Sequence, residues 1–159
     1  MTGQGATTLR SFERSLPMAL MRAREGVMSR FRPILAEHGI TEQQWRVLRV
    51  ISEDVRLDAT TVAARACLLA PSVTRIVRAL AKRGFISSVR DVSDKRRTVL
   101  QLTEAGDAFL EKVSPESAEI FAKLRRTVGA ERWEKLATLL SDIRSDIQAT
   151  DTDQSDAKP

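Results

Sequence analysis

Asp94-Lys95-Arg96-Arg97-Thr98-Val99-Leu100-Gln101-Leu102-Thr103-Glu104-Ala105-Gly106 sets three cations, a short strand-like run and a helix start side by side in thirteen residues. Val99 to Leu102 alternates as a half-buried strand does, and Thr103 can cap the next helix through its hydroxyl. A second strand-like run, Phe85 to Arg90, precedes it. The two read as a hairpin whose tip spans Asp91 to Arg97 and whose cations are free to face something negative. A protruding basic hairpin of this kind predicts a nucleic-acid-binding wing.

Working outward, Asp58 to Thr103 holds nine Lys/Arg against three Asp, a net of +6, whereas the 159-residue chain as a whole carries +5. The charge is therefore concentrated around the hairpin, and the remainder is close to neutral, a distribution that suits an anionic partner. The length allows one principal domain with a core, or one domain with a helical extension. One cysteine, Cys67, excludes an intrachain disulfide and a thiolate zinc cluster, and one histidine, His38, removes most metal and triad chemistry. No metal, cofactor or catalytic constellation is expected. No apolar run is long enough for a secretion signal or a membrane span, so a cytoplasmic location is expected.

Residues 1–8 are small and polar and read as a mobile N-terminus. From Pro17, apolar positions at Leu20, Ala23, Val27, Phe31 and Ile34 predict an amphipathic helix that bends near Pro33 and stops at His38 and Gly39. Thr41 to Gln44 forms a capping box for a core helix carrying Trp45, Val47, Leu48, Val50 and Ile51. After a β-like run at Val55 to Leu57, Thr60 or Thr61 can cap a short helix through Ala66, and Ala70-Pro71-Ser72 opens another that ends at Gly84. Two helices joined by the Cys67 to Ala70 turn and followed by a two-stranded hairpin make a winged helix-turn-helix.

Farther on, Leu110, Val113, Phe121, Leu124 and Val128 keep heptad spacing, with Ser117 in the intervening slot and a bend expected at Pro115, and Gly129 separates them from a helix with Trp133, Leu136, Leu140, Ile143 and Ile147 on one face. These seams exceed what one small domain can cover, which predicts a homodimer. The expected organisation is dimerisation helices at 9–40 and 104–149 flanking a DNA-binding lobe at 41–103, with an acidic disordered tail at 150–159. The fold class is mainly α with a small β-hairpin.

Leu102-Thr103 and Gly106 behind Asp94-Lys95-Arg96-Arg97, together with Pro71-Ser72-Val73-Thr74-Arg75, Leu80 and Arg83-Gly84-Phe85-Ile86, resemble the wing and recognition helix of the MarR family of transcription regulators. The resemblance covers about Leu16 to Ile147. Ala23-Arg24-Glu25, Phe31-Arg32-Pro33-Ile34 and Thr41-Glu42-Gln43-Gln44-Trp45-Arg46 are similar to the branch of that family that represses homoprotocatechuate (aromatic acid) degradation operons. It implies a homodimer with intertwined terminal helices, two winged helices on a palindromic operator, and an effector crevice beside the DNA-binding lobe. Val92 stands where the family commonly has proline, and the chain has no tyrosine to bond a phenolic ligand.

On the recognition helix, Ser72, Thr74, Arg75 and Arg78 are placed to meet base edges and phosphates, with Arg75 a candidate for a bidentate guanine contact. In the wing, Lys95, Arg96 and Arg97 can enter a narrow minor groove, and the resemblance makes Arg96 the inserted residue. The competing reading is a solvated charged face, with Asp94 pairing Arg96 on the surface. For the effector, Arg24 lies at the edge of the first helix's apolar stripe near Met28, while Trp45 and Arg49 share a face one turn apart, offering a flat wall and cations to an aromatic or phenolic acid. The bland alternative is an arginine stacked on Trp45 and a buried ion pair of Arg24 with a partner carboxylate. Cys67, between Ala66 and Leu68, reads as a packed cysteine, with an oxidant-sensing thiol as the rival role. His38 reads as a helix-end residue. Two further alternatives are a small enzyme acting on aromatic acids, for which no nucleophile and base stand out, and a purely structural helical protein, which leaves the wing unexplained.

Overall fold

The computed structural model describes residues 15–54, 56–91 and 97–156, with side chains described through residue 150. Seven of the elements build the first of two compact units, residues 1–118. Helix α1 (Leu16–Glu37) begins with proline in its first turn, and Pro33 lies within it. It ends in a Schellman motif: Gly39 takes a left-handed φ of 63°, its N–H donates to Ala36, and the Ile40 N–H donates to Leu35. Helix α2 (Glu42–Ser52) opens on the complete capping box, Gln44 N–H to Thr41 Oγ1 at 3.2 Å and Thr41 N–H to Gln44 Oε1 at 3.0 Å.

Strand β1 (Leu57–Asp58) and helix α3 (Ala59–Arg65) follow, then helix α4 (Ala70–Lys82). The cap of α3 is Asp58, whose Oδ1 accepts the Thr61 N–H at 2.8 Å, rather than Thr60 or Thr61. A carboxylate two residues before Thr60 reaches the free N–H groups with full negative charge, which the helix dipole favours over a hydroxyl. Strands β2 (Ile86–Arg90) and β3 (Thr98–Leu102) form the expected hairpin, but the sheet has three antiparallel strands in the order β1-β3-β2. Leu57 pairs with Leu100 and Asp58 with Val99, so the run before α3 closes the outer edge of the hairpin. As the central strand, β3 buries both Val99 and Leu100, whose side chains point to opposite faces.

The core is made by Leu35 of α1, Val47 and Leu48 of α2, Val62 of α3, Val73 and Leu80 of α4, and Val113 of helix α5 (Glu104–Val128). Pro115 lies inside α5 without ending it. The second unit, residues 119–159, contains the rest of α5 and helix α6 (Ala130–Asp156), divided by Gly129. Helix α6 continues beyond residue 150, where a disordered tail was expected. Polar composition weakens packing but does not break a helix, and no glycine or proline occurs between Ala130 and Lys158. Among the described residues no helix is long and apolar enough to cross a membrane.

At one junction the wing meets the recognition helix. Helix α4 leaves through a second Schellman motif at Gly84, with the Phe85 N–H on the Leu80 carbonyl. The Phe85 carbonyl then accepts the Thr103 N–H at 3.1 Å, and the Thr103 hydroxyl donates to the Gly84 carbonyl and accepts the Gly106 N–H. Gly106 lies so close that a Cβ there would stand 2.2 Å from the Phe85 carbonyl oxygen. Replacing Gly106 by alanine should therefore destabilise the lobe by about 1–3 kcal/mol, the usual cost of overpacking, in spite of the ~1 kcal/mol that alanine ordinarily gains in a helix. A denaturant midpoint equal to or above wild type would refute this close approach.

The same logic of local fixation holds at Asp58. Its carboxylate takes the Thr61 N–H, the Thr61 side chain and the Arg97 guanidinium, and these hold it at about 2, below the usual 3.8. Because the folded value lies below the unfolded one, its stabilisation is complete above the unfolded value and is lost as pH falls through the folded one. Asp58→Ala should cost about 1–2 kcal/mol at neutral pH, the deficit closing between about pH 4 and about pH 2. Chemical unfolding of both proteins across that range is the check, and a deficit independent of pH would exclude the charged cap.

Candidate nucleic-acid interface

Helix α4 divides cleanly by its own periodicity. Val73, Ile76 and Leu80 are buried, while Thr74, Arg75 and Arg78 are exposed on the other side and Ser72 is half-buried. Pro71 supplies the first turn without losing a needed N–H, so the helix starts sharply, and the four residues expected to face DNA lie between its third and ninth positions. Thr74 Oγ1 bonds back to the Ala70 carbonyl at 3.1 Å. Arg75 and Arg78 form no ion pair among the described residues, which leaves both guanidiniums available to phosphates or base edges.

At the hairpin, Lys95 and Arg96, with Asp94 and Val92, lie outside the described residues. Arg97, expected among the DNA contacts, bonds Asp58 Oδ2 at 2.5 Å, with 53% of its side chain exposed. It ties the base of the wing to the cap of α3. The Asp91 N–H donates to the Arg97 carbonyl at 2.9 Å and continues the ladder toward the tip. Arg83 and Phe85, which the sequence marks for the resemblance rather than for these contacts, and Phe109, which it does not single out, complete the frame. Arg83 donates to the Gly39 carbonyl at 2.7 Å and sits 4.6 Å over the Phe85 ring, which stacks on Phe109. The Arg83–Gly39 and Phe85–Phe109 contacts join segments far apart in the chain, so no local pattern announces them.

Cys67 is exposed rather than packed. It occupies the left-handed position of a third Schellman motif at φ 50°, its N–H on Ala64 and the Leu68 N–H on Ala63, and that geometry turns the side chain outward from the end of α3. His38 is more than a helix end: Nε2 lies 3.0 Å from Glu116 Oε1 and the ring meets Phe109 edge-on.

The expected effector residues are distributed over α1 and α2. Arg24 is ion-paired with Glu42, but the pair is buried on the Glu42 side only, the Arg24 side chain being half exposed. Met28 and Trp45 are half-buried, and Arg49 is exposed in the last turn of α2. Among the described residues no guanidinium stacks on Trp45, and Arg49 has no ion pair. Nor does any group of His, Cys, Asp or Glu among them have the arrangement to hold a metal.

Residues 40–98 match the MarR family model. The homoprotocatechuate degradative operon repressor of Escherichia coli is 35% identical over 129 residues, covering 81% of this chain and 87% of the relative. The crystal structure of NadR in complex with 4-hydroxyphenylacetate is similar at a TM-score of 0.74 and 36% identity, covering 81% of this chain and 92% of that one. The repressor CouR, bound to a 23-mer DNA duplex, is similar at 0.76 and 26%, covering 91% and 99%. A recognition helix with an unpaired cationic face, a wing anchored to its exit and relatives matched along most of their length lead to one assignment: this chain belongs to the MarR family of winged-helix transcription regulators and is not an enzyme.

Proposed function

We propose that the chain is a cytoplasmic homodimeric repressor of an aromatic-acid catabolic operon, binding a palindromic operator and leaving it when a small aromatic or phenolic acid is bound. The observation that carries the DNA-binding part is the outward face of α4, where Arg75 and Arg78 lie one turn apart without ion-pair partners among the described residues. The CouR–duplex complex gives the same fold a DNA-bound precedent. Dimerisation is supported by the exposed Leu136, Leu139, Leu140, Ile143 and Ile147 of α6, and separately by exposed Leu16, Leu20 and Met21 of α1, since apolar surface of this extent is costly to leave in water.

In this reading Ser72, Thr74, Arg75 and Arg78 contact the major groove, and Lys95 and Arg96 enter the minor groove. Arg97 holds the wing base while its exposed portion adds positive charge. Arg75→Ala should relax base preference at one position of each half-site, with about 1–3 kcal/mol less discrimination there. Selection of binding sites from random duplexes, at fixed salt, compares mutant and wild type; an equal loss on every sequence would make Arg75 a phosphate contact only.

The effector class follows from the names of the relatives and from side chains suited to it: NadR was solved with 4-hydroxyphenylacetate, and the E. coli relative represses a homoprotocatechuate operon. Trp45 and Met28 supply apolar surface, and Arg24 and Arg49 supply cations. Arg24 is shared with Glu42, so an incoming carboxylate has to compete for it, whereas Arg49 has no such competitor among the described residues. Arg49→Ala should weaken 4-hydroxyphenylacetate binding by about 1.5–3 kcal/mol with operator affinity near normal in the absence of the acid, and Arg24→Ala should weaken acid binding by less. Calorimetry decides it, and two mutants with wild-type affinity for the acid would move the pocket elsewhere.

A further inference from the structure

Glu42 is the most heavily subscribed carboxylate in the first unit. Its side chain is only 15% exposed, and it meets Arg24 and Arg32 of α1, the latter at 3.6 Å, as well as Arg46 of α2 at 2.8 Å, one turn along its own helix. Arg32 is shared in turn with Glu25, which takes both of its terminal nitrogens. Three guanidiniums and two carboxylates leave the group with one net positive charge, so an added anion meets attraction here.

Arg46 faces two ways. While Nη2 holds Glu42, Nη1 donates to the Ala66 carbonyl at 2.9 Å. Ala66 is the C-cap of α3, a helix end where carbonyls lack intrahelical partners and a cation is favoured. Cys67 follows at φ 50°, and Leu69 is already the N-cap of α4. The guanidinium is planar and stiff, so its two terminal nitrogens cannot move independently. One side chain thus spans from the shared carboxylate to the turn that aims the recognition helix.

We propose that Arg46 is a positioning residue for operator recognition, coupling the charge balance around Glu42 to the α3–α4 turn. An anionic effector that takes Arg24 loosens that arginine's hold on Glu42, Glu42 shifts with Arg46, and the carbonyl grip on the turn changes. The effector step rests on the function proposed above; the link between Glu42, Arg46 and the turn does not. Coupling of this kind requires only that the two arrangements differ in DNA affinity.

The experiment is a double-mutant cycle on operator affinity without any acid, using duplex selected by the wild-type protein and temperatures well below each variant's unfolding midpoint. Glu42→Gln and Arg46→Met should each weaken binding, and the double mutant should depart from the product of the single effects by more than about twofold, the usual limit for independent sites. Base preference should be unchanged, because Arg46 acts through the turn. If Arg46→Met does not fold, Arg46→Lys, which keeps the charge but cannot span both partners, replaces it. A second arm measures the ratio of operator Kd with and without 4-hydroxyphenylacetate: Arg46→Met should bring it near one while calorimetric affinity for the acid persists. Multiplicative effects in the cycle, or wild-type operator affinity in Arg46→Met, would overturn the proposal. Failure of the wild-type protein to bind the acid would instead overturn the effector reading and leave the cycle to decide Arg46.

Discussion

The Phe85 carbonyl oxygen is the point on which the DNA-binding lobe is hinged. It accepts the Thr103 N–H and lies against Gly106, while the neighbouring Gly84 carbonyl takes the Thr103 hydroxyl. The exit of the recognition helix, the base of the wing and the start of α5 therefore meet within a few peptide units. A wing can contribute to sequence reading only if its distance from the recognition helix is fixed, because a minor-groove contact and a major-groove contact must fall in register on one duplex. Backbone hydrogen bonds provide that fixation better than side-chain packing, since they have few alternative arrangements.

Around this hinge the cations divide into two populations. Arg83 is bonded to the Gly39 carbonyl and covers the aromatic pair Phe85 and Phe109, Arg97 is bonded to Asp58, and Arg65 is paired with Glu53 and Asp54. Each joins two elements. Arg75 and Arg78 join nothing within the described residues, although they lie in the same positively charged stretch. Net charge alone would count all five as DNA-facing. The hydrogen bonds separate those that shape the lobe from those that can meet a phosphate or a guanine, and the separation matters because a guanidinium already held by a carboxylate has fewer free donors and less net charge to offer another anion.

Most local signals are legible in the sequence. The capping box at Thr41, the proline start at Pro71, the glycine stops at Gly39 and Gly84 and the Thr103 cap all depend on residues within four positions of one another, and the buried stripe of α4 follows from its period. What could not be read is nonlocal. Leu57 gives no sign that it will pair with Leu100, more than forty residues away, and Asp58 outcompetes Thr60 and Thr61 as a cap in part because Arg97 comes back to meet it. Cys67 was expected inside because cysteine is commonly buried; a C-terminal motif that ordinarily takes glycine set its direction instead. Arg46 and Glu42 are visible as an i, i+4 pair, but the Ala66 carbonyl that gives the pair its consequence belongs to another helix.

That last contact changes how the two proposed sites relate. Helix α2 carries Trp45 and Arg49, which are proposed for the effector, and Arg46, which bonds the turn before α4, so one helix borders both. A ligand with equal affinity for the DNA-competent and incompetent arrangements could not act as an inducer, however tightly it bound. On that proposal, competition for Arg24 would supply the required difference: an acid and Glu42 would share its donors, and the acid would bind more strongly in the arrangement that has already released Glu42. By linkage, an operator that favours the Glu42-paired arrangement must weaken the acid by the same factor, so induction and resistance to induction are two readings of one ion pair.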